Sequence, residues 1–167
     1  MNIQQVIKSQ YLAVLEMLKQ TVADCPPALW DDPADRNRFW RVAFHALFYT
    51  HLYLQDSEKD FTVWPKHRGQ AEHLGRLPWP PHDEPKIEAP YTKEEVLEYL
   101  AFCREVVEEK VSLLNPDAPS GFDWLPFGKL ELQLYNIRHI QQHTGELDER
   151  LGARANVDVR WVGAKPD

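Results

Sequence analysis

The sequence predicts an all-α fold, a four-helix bundle with one long crossover between its second and third helices. Three observations carry that prediction. Apolar residues recur at helical spacing in four segments, at about 3–23, 34–56, 92–114 and 128–152. No segment alternates polar and apolar residues convincingly enough to read as a strand. The one long stretch without periodicity, 57–91, joins the second helix to the third, as a crossover connection would.

The first helix is marked by Ile3, Val6, Ile7, Val14, Leu15, Leu18 and Val22, and Pro26-Pro27 ends it. Residues 28–34 read as a short loop, in which Asp31 or Asp32 can cap a helix and Pro33 suits a first turn. The second helix, from Arg38 through Leu54 at its clearest, is apolar nearly all round, which suits a helix packed on more than one side. Between 57 and 91 the prolines and glycines forbid a long helix. Phe61, Trp64, Leu74, Leu77 and Trp79 are nevertheless candidates for burial there, so the stretch reads as an ordered strap. His67, His73 and His82 lie in the strap without ligand spacing and read as surface residues.

Thr92 followed by Glu95 is a capping box opening the third helix, whose buried stripe is Val96, Leu100, Cys103, Val107, Val111 and Leu114. Asn115-Pro116 stops it. The next loop carries Phe122, Trp124 and Phe127, expected to plug the bundle end. The fourth helix is marked by Leu130, Leu134, Ile137, Ile140, Leu147 and Leu151 and is expected to end at Gly152. A tail of about 153–167 follows, with Val157, Val159, Trp161 and Val162 as its apolar positions.

At 167 residues the chain is expected to be a single domain, residues 1–167, with a core that needs no staples. Hydrophobic residues make up 43% and charged residues 27%, the balance of an ordinary globular protein. A net charge of −7 without a basic cluster argues against nucleic acid or an anionic membrane as partner. The opening Met1-Asn2-Ile3-Gln4-Gln5 lacks a leader pattern and no apolar run approaches membrane-spanning length, so the expected location is the cytoplasm. Cys25 and Cys103 are too far apart for a paired-cysteine site, and Cys103 falls on an apolar helix face.

Chemistry concentrates in the fourth helix, at Tyr135-Asn136-Ile137-Arg138-His139-Ile140-Gln141-Gln142-His143-Thr144-Gly145-Glu146-Leu147. His139 and His143 stand four apart, so they project from one face a single turn apart and can share a metal ion. A third ligand must come from elsewhere. His45 and His51 in the second helix are six apart and face about 120° away from each other, so the two cannot serve one ion without distortion. Each also reads as a core histidine bonded to a neighbour.

The fourth-helix stretch resembles the last-helix signature of the DinB/YfiT-like metalloenzyme family, with Gly145 and Leu147 at the family's spacing after the two histidines. Glu131, Tyr135, Asn136 and Arg138 are also similar to the family. The resemblance implies that a histidine near the middle of the second helix completes the metal site. His45 is the equivalent here, followed by Tyr49, and His51 is less well placed. It also implies an up-down-down-up topology and a metal-dependent reaction. Members include S-transferases and isomerases that use bacillithiol, mycothiol or glutathione, so a low-molecular-weight thiol is the expected cosubstrate.

Three neutral histidines leave an ion its full charge and open positions, so that it lowers the pKa of water to about 7 or activates a thiolate. An all-nitrogen set favours zinc or nickel, with iron or manganese also accommodated. The metal-ligand candidates are thus His45, His139 and His143, and the candidate catalytic residues are Glu146, one turn beyond His143, and Tyr49, one turn beyond His45. Glu146 can equally form an i,i+4 salt bridge with Arg150. The leading expectation is a metal-dependent transferase or hydrolase. Its alternatives are a metal-binding bundle without catalysis and a helical interaction protein, a homodimer formed through the aromatic second helix.

Overall fold

Two of the helices, those that begin at Ile3 and Lys93, open where a side chain accepts from a first-turn amide. The computed structural model describes residues 2–164. Among them it contains five α-helices, one 3₁₀ turn at Glu58–Asp60 and no strand, only an isolated antiparallel bridge between Pro119 and Gly128.

Helix α1 spans Ile3–Asp24, with the Asn2 side chain accepting from the Gln5 amide at 3.2 Å. Its inward face is Ile7, Tyr11, Leu15, Leu18 and Val22, whereas Val6, expected inside, is exposed. Residues 28–30, read as the start of a loop, belong to a single-turn helix, α2, Pro27–Trp30, started by the proline. Helix α3 is Phe39–Tyr53 and begins five residues later than expected. The reason is local. Asp32 accepts from the Ala34 amide at 2.8 Å and Asp31 from the Trp40 indole at 2.7 Å, so neither caps a helix and 31–38 stays turned. The aromatic side chains Phe39, Trp40, Phe44 and Phe48 are buried within this chain.

Helix α4, Lys93–Ser112, carries the complete Thr92–Glu95 capping box. Helix α5, Lys129–Ala155, runs through Gly152 and stops only when Asn156 adopts φ 53°. The inward face of α5 is Leu132, Asn136, Ile140, His143, Leu147 and Leu151, and Leu134 points outward at 56% exposure. Both α4 and α5 pack along α1 and α3, while α1 and α3 scarcely meet.

The strap is tied down by stacking. Trp64 lies on Tyr99 of α4 at 4.6 Å, and Tyr91 lies on Phe44 of α3 at 4.3 Å. Trp64 and Leu77 are buried as expected, but Trp79 is half exposed, set edge-on to His73. In the α4–α5 loop Phe122 fills the bundle end against Tyr53, whereas Trp124 stays half exposed. The buried Lys129 ammonium closes this end by donating to the carbonyls of Gln55, Asp56 and Ser120. The tail lies on α1, where Gln10 and Gln20 donate to the carbonyls of Gly163 and Arg160. Trp161 is 70% exposed, and the last three positions of the expected tail, 165–167, fall outside the described residues.

Candidate metal centre

Three of the seven histidines converge on one point between α3 and α5. His139 and His143 are presented by successive turns of α5, and α3 packs against that face with His45 toward them. One nitrogen from each lies within 4.8 Å of the others. The rings are close, with centroids 5.0 Å apart for His45 and His139 and 4.7 Å for His143 with either. Most of each side chain is sheltered, and His143 is buried outright.

The outer nitrogens fix the tautomers. His45 Nδ1 meets the carbonyl of Glu72, which only accepts, so the proton sits on Nδ1 and the Nε2 lone pair faces inward. His143 Nδ1 donates to Glu146 Oε2 at 3.2 Å, which likewise leaves Nε2 for the centre. His45 Nε2 and His139 Nε2 stand 3.0 Å apart. Without an ion, His139 must donate from Nε2 to His45, leaving a bare Nδ1 that is buried and has no partner. With a cation the Nε2 lone pairs of His45 and His139 are both used, and the proton of His139 moves to Nδ1. Tetrahedral ligands at zinc–nitrogen distances of 2.0–2.1 Å lie about 3.3 Å from each other, close to the separation of His45 and His139, with His143 within 4.8 Å.

Burial pushes His45 down to about 3, with the neighbouring histidine charges adding to it against the Glu72 hydrogen bond. Burial, then the charge of His143, pushes His139 down to about 4. Both rings are therefore neutral at pH 7, the form in which imidazole binds metal. The donor set thus fits a divalent ion in chemistry and spacing.

Tyr49 lies against the centre, its ring 4.8 Å from His45 and 5.6 Å from His139. Burial, with Tyr53, Glu72 and Tyr135 nearby, pushes its hydroxyl up to about 12, so it remains a donor at neutral pH. Glu146 is engaged at both oxygens, by His143 and by Arg150, as the i,i+4 spacing anticipates. His51 lies apart from the cluster, bonded to the Tyr99 hydroxyl at 3.2 Å in the core. His67 and His73, expected at the surface, are largely buried and flank the Glu72 carboxylate at 3.0 and 3.4 Å. Glu72 itself escaped the sequence reading. It serves His45 through a main-chain oxygen, which has no side-chain signature, and the strap has no periodicity from which to place it. Neither cysteine enters the site, and burial pushes the Cys25 thiol up to about 11.

Among the described residues no helix is long and apolar enough to cross a membrane. No protein-family model, curated protein or solved structure matches this chain.

Proposed function

We propose that this chain is a divalent-metal-binding helical bundle of the DinB-like kind, and that it acts as a metal-dependent enzyme of the thiol-dependent S-transferase or hydrolase class. The observation that carries the reading is the convergence of His45, His139 and His143, two of them with the outer nitrogen already committed to a hydrogen-bond acceptor. An ion held there, zinc or nickel by ligand preference and iron or manganese by tolerance, supplies Lewis acidity toward water or a thiol.

The chain's own groups do the rest. The Glu72 carbonyl and the Glu146 carboxylate orient His45 and His143. Arg150 holds Glu146 in place. The Tyr49 hydroxyl, protonated at neutral pH, donates to an anionic group of a substrate beside the histidines. The up-down-down-up order belongs to the same proposal. Partner numbers rise together between α1 and α5, from Tyr11–Gln133 to Thr21–Asp148. They run oppositely between α3 and α5, from His45–His139 to Thr50–Asn136, and between α1 and α4, from Lys8–Glu108 to Glu16–Arg104.

One observation favours a second reading, a metal-binding bundle without catalysis. Both Glu146 oxygens are occupied, so that carboxylate is not a free base. Metal analysis of protein purified without a polyhistidine tag tests the common ground. About one equivalent of divalent ion is expected, absent from the His139→Ala/His143→Ala variant. A wild-type protein that holds no metal, even after zinc or nickel is added, would overturn both readings. Turnover of thiol cosubstrates by the loaded protein then separates the first from the second.

A further inference from the structure

A cavity of about 270 Å³ opens where the start of α3 meets the strap, lined by Arg36, Asn37, Arg41, Arg76 and Glu84 among others. Three arginines thus line it with one glutamate, and that glutamate pairs with Arg76 at 3.2 Å on the exposed rim. Among the described residues Arg36 makes no hydrogen bond or ion pair. Arg41 is more telling. It is half buried, one terminal nitrogen donates to the His73 carbonyl, and its Nε is buried without a partner. A guanidinium carries only donors and remains charged, so a buried N–H on it calls for an acceptor.

The neighbouring basic residues are accounted for differently. Arg38 pairs with Asp31 at 3.6 Å, while Arg150 and Arg154 are matched by Asp32, Asp35 and Glu146. The excess of positive charge comes from Arg36 and Arg41, which also line the adjoining cavity beside Arg38. Burial lowers the Arg41 guanidinium from its ordinary value even though Glu84 and Glu72 oppose the effect, as expected for a cation with too little counter-charge.

We propose that this cavity binds the carboxylate or phosphate group of a small molecule, with Arg41 donating from the buried side and Arg36 and Arg76 from the open side. Such a group would lie close to the supports of the histidines. Arg41 precedes His45 by one turn of α3, about 6 Å along the axis. The adjacent strap carbonyls of His73 and Glu72 serve these two residues. On the other wall the Asn37 carbonyl accepts from Arg150 at 2.8 Å, and Arg150 holds Glu146 against His143. The proposal stands whether or not the histidines hold an ion.

The test uses the full chain, stripped of metal and labelled with nitrogen-15, with arginine Nε–H resonances followed by NMR. Sodium phosphate and sodium acetate are titrated in separate arms against sodium chloride at constant ionic strength. A saturable shift of the Arg41 Nε–H with phosphate or acetate, and none with chloride, is expected. Affinity should fall about tenfold or more in Arg36→Ala/Arg76→Ala, whose sites are on the open side and whose fold is checked by circular dichroism. The arm that saturates at lower concentration assigns the group as phosphate or carboxylate. Shifts that match chloride, or an affinity within about twofold of wild type in the folded double variant, would overturn the proposal.

Discussion

His45 and His51 sit on the same helix, six residues apart, and they show what distinguishes a candidate ligand from a core residue. Burial lowers both, His51 to about 4 and His45 to about 3. The side chains around them differ completely. His51 is enclosed by Phe61, Tyr99 and Phe102 and has one polar side-chain partner, the Tyr99 hydroxyl. His45 faces two other imidazoles, with its outer nitrogen fixed by the strap. A depressed histidine pKa therefore reports burial first, at a core residue as much as at a cluster. Convergent lone pairs report a site.

The sharpest way to break this contrast is to exchange alanine for each histidine in turn. His45→Ala should take metal content from about one equivalent to near zero, whereas His51→Ala should leave it unchanged, by elemental analysis of untagged protein. Equal loss from both variants would mean that the centre depends on the whole helix rather than on His45. Next in size, Glu146→Gln should weaken metal affinity about 10- to 100-fold by competition with a chelating dye, because it loosens the orientation of His143. For His51→Ala the effect falls on the fold, a loss of about 1–3 kcal/mol in urea unfolding as the Tyr99 hydroxyl loses its partner and a cavity opens.

The smallest effect is a slope. In chelated protein His45, His51 and His139 have folded pKa values below the ordinary 6.5. The unfolded chain then binds more protons between about pH 4 and 6.5, so stability is full above that window and falls as pH drops through it. The melting temperature of the metal-free protein should therefore decrease from pH 7 to pH 5, less steeply in His51→Gln. A flat profile would show that these rings are not buried neutral.

Much of this arrangement was legible in the residues themselves. Thr92 and Glu95 announced α4, and the spacing of His139 and His143 announced a shared face. The choice of His45 over His51 came from the resemblance, since periodicity alone treated both as core. The start of α3 was misplaced because Asp31, Asp32 and Pro33 have the chemistry of a helix start but are used in turn and indole contacts. The end of α5 was misplaced because Gly152 remains helical and Asn156 takes the left-handed position instead. Glu72, His67 and His73 were illegible as neighbours of the site because an aperiodic strap gives no register, and only tertiary packing sets theirs.

The strap also sets a timetable. His139 and His143 are neighbours on one nascent helix, but His45 is 94 residues from His139 and its Glu72 support is 27 residues further along the chain than His45. Closing loops of that size belongs to the later stages of folding, after local helix has formed. If the proposed site holds an ion, one that meets the chain early would find only the pair on α5, and His45 would join it when α3 docks and the strap closes. On the proposed metal reading, capture of the ion and the final cooperative folding step are one event, and refolding with and without zinc should then differ in its slow phase rather than its fast one.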